Sequence, residues 1–137
     1  MKILGAALLY FAIVFGTGFL VGPLRVLYAE PRVGTTAAVL LEVPILLVAM
    51  IVGATIAVRW LDAKPSTRAL VTVGTVSLVF QHVADVAVGV LLRGMSVEDH
   101  LAQFATTPRM IYGALLVAFA LMPLLMRRRR AVAERVP

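Results

Sequence analysis

Residues 36–61 read TAAVLLEVPILLVAMIVGATIAVRWL, and within them Glu42 and Arg59 carry the only charges. A helix that crosses a bilayer needs roughly 20 consecutive, mostly apolar residues. This stretch is long enough, and it lacks the alternation with polar residues that a soluble amphipathic helix shows. Three more stretches of the same kind flank it: Ile3–Ala29, Ala69–Leu92 and Met110–Met126. The chain is 61% hydrophobic and 15% charged, with mean hydropathy +0.99. Soluble domains lie near 45–50% and about 25%. The expected fold is an all-α membrane protein, a single four-transmembrane-helix bundle over residues 1–137 ending in a basic tail at 127–137.

Charge placement orients the bundle. Arg127, Arg128, Arg129 and Arg130 follow the fourth span, Lys2 precedes the first, and Arg59, Lys64 and Arg68 flank the connection between the second and third. Positive residues beside short membrane flanks mark the cytoplasmic side. Four crossings put all three clusters there, with both termini cytoplasmic in a multi-pass inner-membrane protein. The arginine run reads as a membrane anchor that meets anionic lipid, and not as a nucleic-acid patch. The first apolar run is too long for a signal-peptide core and contains Arg25, so it is expected to be retained. On the outer side, YAEPRVG (28–34) supplies a turn, with Thr35 or Thr36 capping the second helix. Ser66 or Thr67 caps the third, and Thr107-Pro108 opens the fourth. RGMSVEDHLAQFATTPR (93–109) is expected to hold a short amphipathic helix on the outer leaflet. Ser96 and Asp99 would form its capping box, and Val97, Leu101, Phe104 and Ala105 its apolar face.

Within VFQHVADVAVGVLL (79–92), Gln81, His82 and Asp85 interrupt a lipid-soluble run. Counting ~1.5 Å per residue from the helix ends places Arg25, Glu42, His82 and Asp85 in the outer half of the bilayer, in a slab on the order of 10 Å thick. Tyr112 and Arg109 reach its upper part. Each ionisable residue also sits on a stripe of small residues: Gly18 and Gly22 with Arg25, Gly53 and several alanines with Glu42, and Gly89 with Gln81, His82 and Asp85. Small residues mark where membrane helices approach closely, so Gly18, Gly22, Gly53 and Gly89 are expected at helix contacts. A charge facing lipid costs ~2.5–3.5 kcal/mol, so these groups should face one another. Arg25 is expected to bridge Glu42 or Asp85, leaving one acid in excess. Pro44 and Pro23 should free backbone carbonyls at the same level.

The residues leave three functional readings open. The cluster of Arg25, Glu42, Gln81, His82, Asp85 and Tyr112 fits proton- or cation-linked transport, or an accessory to it, with Glu42 and Asp85 exchangeable and His82 a proton partner. It also fits a purely architectural polar core in a subunit of a larger membrane complex. Third, Glu42, His82 and Asp85 could ligate a metal, an oxygen-rich set suited to manganese, iron or magnesium, with cofactor identity left open. Four helices rarely enclose a pathway alone, so transport implies a homo-oligomer. There are no cysteines, and no Gly-rich phosphate loop, HExxH or Ser–His spacing points to an enzyme.

The pattern GPLRVLYAEPRVG…LLEVP, Gly22 to Pro44, resembles a group of uncharacterised small bacterial four-helix integral membrane proteins. The resemblance covers the first two helices. It implies a bacterial inner-membrane location and carries no activity, cofactor or site residue with it.

Overall fold

A computed structural model of the protein describes residues 1–61 and 64–135, apart from the side chain of Phe104. Helix α1 is Lys2–Val33, α2 Thr35–Trp60, α3 Thr67–Leu91, α4 Val97–Ala102 and α5 Thr107–Ala133, with one 3₁₀ turn at Gln103–Ala105. No strand occurs among the described residues. The four longer helices are long and apolar enough to cross a membrane. The structure differs from the sequence expectation at several helix ends. The predicted turn at residues 28–34 is helical through Val33, and the chain reverses at Gly34, whose φ of 83° suits a residue without a Cβ. Gly34 itself, and not Thr35 or Thr36, occupies the cap of α2. Helix α5 starts at Thr107 and runs through Arg127–Arg130, so the basic tail is mostly helix; its last residues, 136–137, lie outside those described. Thr106 precedes α5 without a side-chain cap, and Pro108 sits in the first turn, where its missing N–H costs nothing.

Two predicted caps take the expected form. Ser66 Oγ accepts from Ala69 N at 3.1 Å at the start of α3. At α4, Ser96 Oγ accepts from Asp99 N at 3.0 Å while Asp99 Oδ2 accepts from Ser96 N at 3.3 Å, a reciprocal capping box.

Around the bundle, α1 packs against α2 and α3, and α5 packs against the same two, so α2 and α3 face each other across the diagonal. The end carrying Lys2, Trp60, Thr67 and the arginines is tight. There Ala6, Ala7, Ala54 and Ala57 are buried and their small side chains let the backbones close in, with Leu70 and Val73 filling the space between. Two polar side chains tie helices within this core. Tyr10 Oη donates to Phe119 O at 2.7 Å with the rings stacked at 4.4 Å, and Ser77 Oγ donates to Ala7 O at 3.0 Å. A Cβ on Gly74 would collide with the Ala120 carbonyl, and one on Gly53 would press on the Tyr10 ring at 3.0 Å. Gly53 is therefore at a helix contact as expected, and Gly74 marks the closest approach of α3 to α5.

Gly22 differs from expectation, and Gly18 meets the neighbouring helix through a single side chain. A Cβ on Gly18 would meet only Leu46, at 3.6 Å, and one on Gly22 would meet nothing within 4 Å. Both residues face open space inside the bundle.

Candidate functional site

That open space is a cavity of about 1010 Å³, at the end of the bundle that carries α4 and partly open to the outside. Its floor is apolar, formed by Val14, Phe15, Leu46, Leu115 and Phe119, with Phe19 higher on the same face of α1. All four long helices contribute to its lining. Its size is at the upper end of sites that hold small molecules, and an apolar wall with a few convergent polar groups is their usual make-up.

On the α1–α2 side the polar groups are Arg25, Glu30 and Glu42. Pro23 cannot donate a backbone hydrogen bond, and just beyond it α1 widens into a π-helical turn at Arg25–Ala29, closed by Glu30 N donating to Arg25 O. In a regular α-helix, residues five apart lie roughly 140° from one another around the axis. The wider turn stacks Glu30 over Arg25, whose Nη1 donates to Glu30 Oε1 at 2.7 Å. Arg25 Nε lies 2.8 Å from Glu42 Oε2 on α2. One guanidinium thus serves two carboxylates, and both acids are mostly shielded, with side-chain exposures of 24% for Glu30 and 12% for Glu42.

On the α3–α5 side the centre is Asp85. Tyr112 Oη donates to its Oδ2 at 2.5 Å and Gln81 Nε2 to its Oδ1 at 3.2 Å. Gln81 Nε2 also donates to Tyr112 Oη at 3.3 Å, closing a triangle of three side chains. Gln81 is buried, and its Oε1 has no hydrogen-bond partner among the described residues. Arg109, one turn before Tyr112 on α5, holds its guanidinium 5.2 Å above the Tyr112 ring. Its Nη2 lies 3.0 Å from His100 Nε2. A guanidinium can only donate, so Nε2 of His100 accepts and the ring proton sits on Nδ1. Burial, and then Arg109 beside it, hold His100 below the usual histidine range.

The structure thus brings five of the six predicted cluster residues, Arg25, Glu42, Gln81, Asp85 and Tyr112, to the wall of one cavity. The sixth, His82, does not join them. It is exposed on the outside of α3, on the same surface as Val79 and Val83. The buried stripe of α3 runs through Ser77, Gln81 and Gly89, and one residue's step of 100° beyond Gln81 takes His82 out of the bundle. The candidate metal set of Glu42, His82 and Asp85 fails with it: among the described residues no group of three or more His, Asp or Glu side chains could hold a metal ion. Arg25 bridges Glu42 and Glu30, leaving Asp85 as the acid held by neutral donors.

Two residues the sequence reading left aside belong to the wall, Glu30 and His100. In the sequence His100 stands only as part of the short outer-surface helix, with no reason to turn inward. On α4 the exposed face carries Val97 and Leu101, and the opposite side turns His100 inward against Gly89, where a Cβ would come within 3.0 Å of His100 Nδ1. Gly89 is thus a contact glycine, but its neighbour is an imidazole and not another transmembrane helix. The sequence signal was that pairing of a glycine near the end of α3 with a polar residue off the apolar face of α4.

Comparisons with protein-family models, curated proteins and solved structures give no match.

Proposed function

We propose that the protein is a small multi-pass carrier of the bacterial inner membrane, or an accessory to one, in which Asp85 exchanges a proton for a cation in the cavity. One observation carries the reading. Asp85 stands in the cavity wall with its carboxylate held by the neutral donors Tyr112 and Gln81, while Glu42 is held by Arg25. An acid neutralised by a fixed arginine has no charge to trade. An acid held by neutral hydroxyl and amide donors can accept a proton, or release it to water when a cation's charge takes its place. Glu42 therefore passes from exchangeable acid to fixed partner, and His82 leaves the machinery.

In this reading the α4 end of the bundle faces outward, with Val97 and Leu101 in the outer leaflet, and the arginine end lies in the cytoplasm. A second crevice of about 510 Å³ between α2 and α5, lined by Arg59, Arg129 and Arg130, supports contact with anionic lipid there.

The test is proton movement in vesicles reconstituted with the protein and loaded with a pH-sensitive dye. Wild type and Glu42→Gln should collapse an imposed pH gradient when an exchangeable cation is supplied on the opposite side of the membrane, and Asp85→Asn should behave as empty vesicles. If Asp85→Asn matches wild type, or wild type matches empty vesicles, the reading fails and the cluster is architecture.

A further inference from the structure

The geometry points to an amphiphilic organic cation as the molecule the cavity holds, its ammonium head donating to Asp85 and its apolar body lying on Phe15, Phe19 and Leu46. This rests on the carrier reading of the same cavity and names the class of its cation.

Three observations lead there independently. First, Gln81 is 7% exposed and its Oε1 has no partner, although buried acceptors are nearly always satisfied. Its orientation is not arbitrary, because Nε2 donates to both Asp85 and Tyr112. Turning the amide over would set Oε1 against the Asp85 carboxylate, acceptor against acceptor. An uncompensated acceptor dipole is therefore sealed in beside an acid, and both favour positive charge in the cavity next to them. Second, the wall carries Glu30, Glu42 and Asp85 against the shielded cations Arg25 and Arg109, while Arg93, which also lines the cavity, is exposed. Arg25 already serves two glutamates and Arg109 donates to His100. Third, the floor below this level is apolar, with the Phe15 and Phe19 rings 5.9 Å apart along α1. A small inorganic cation would have no use for that floor and would need several oxygen ligands at once, while an anionic head at this level would meet the Asp85 carboxylate, whose hydrogen bonds come from neutral donors.

The probe is phenylbutylamine, which carries a primary ammonium on a short apolar body. It is compared with phenylbutanol, phenylbutanoate and phenylbutyltrimethylammonium, the last having the same charge but no N–H. Full-length protein in lipid nanodiscs is titrated with each, reading the rise in Tm and the binding isotherm, since a ligand that prefers the folded state raises Tm saturably. Phenylbutylamine should bind saturably, the alcohol and the trimethyl compound at least ~10-fold more weakly, and the carboxylate not at all. Asp85→Asn should abolish binding, and Gln81→Leu should weaken it on the order of 10-fold. Gly22→Leu guards against a variant that simply misfolds. Its new side chain has free space, replaces a poor helix former and takes up part of the cavity, so it should keep its Tm and bind the ligand more weakly.

Equal binding of the carboxylate or the alcohol, or undiminished binding to Asp85→Asn or to folded Gly22→Leu, overturns the proposal. Nanodiscs hold no gradient, so the two readings fail separately. Amine binding without proton movement in vesicles keeps this ligand class and removes the carrier, and proton movement without amine binding does the reverse.

Discussion

Arg25 is the residue on which one side of the cavity depends. Its guanidinium is shared by Glu30 and Glu42, so its removal leaves two shielded carboxylates together, whereas removal of either acid leaves a pair intact. Arg25→Met should therefore destabilise the bundle by ~3–5 kcal/mol and Glu42→Gln by only ~1–2 kcal/mol, as read by reversible unfolding in detergent. Equal losses would show that the guanidinium is not shared. Gly74 provides the complementary test of packing. Gly74→Ala drives a methyl into the Ala120 carbonyl, a backbone atom with nowhere to go, and should cost ~1–3 kcal/mol. At this scale the small-residue stripes pointed to Arg25, Glu42 and Asp85, which do line the cavity, although Gly22 beside Arg25 borders open space and no neighbouring helix. The sequence was misleading for His82, because spacings of three and four both count as one helical face. Only the position of the neighbouring helices decides which edge of that face, the one with Gln81 or the one with His82, is covered.

Two local elements set the chemistry of the site. The π-helical turn after Pro23 aligns Arg25 with Glu30, and nothing in the spacing of 25 and 30 foretold it, because five residues is the wrong interval for an α-helical pair. Helix α4 was legible in its capping box and apolar face. The inward turn of His100 was not, since it depends on the missing side chain of Gly89. His100 gives α4 a pH response of definite sign. Folding holds the imidazole below its usual range, so the unfolded chain binds the proton more readily. The contribution is complete above about pH 6.5 and is lost as pH falls from there through the folded-state value. Hydrogen exchange at α4 should accelerate on acidification through that window. His100→Gln, which keeps an acceptor for Arg109 without titrating, should flatten the response, and an unchanged profile would place the proton elsewhere. Asp99 opposes nothing here. Its hydrogen bonds to Ser96 hold it below the usual carboxylate range, so the cap weakens only in stronger acid.

Composition and apolar run length were enough for four long helices, because those follow from the cost of bare backbone in lipid. The lateral order was not readable. A short connection joins α2 to α3, yet α5 packs against both and holds them on opposite corners. That diagonal is why Glu42 and Asp85 line one cavity from opposite walls and do not share Arg25. At the other end of the molecule, Arg59, Arg129 and Arg130 surround the second crevice. Replacing the three with Gln should reduce co-purifying anionic phospholipid, seen by native mass spectrometry, at ~1 kcal/mol per residue, while zwitterionic lipid is retained. The same architecture has a mechanical consequence. Tyr10 to Phe119, Ser77 to Ala7, and Gly74 against Ala120 strap α1, α3 and α5 to one another. Helix α2 takes no part in that strap. It leans on it at Gly53, against the Tyr10 ring, and is clasped far away by Glu42 and Arg25. Loss of that clasp should loosen the cavity half of α2 first, because beyond Gly53 its Ala54, Ala57 and Val58 stay buried in the shared core.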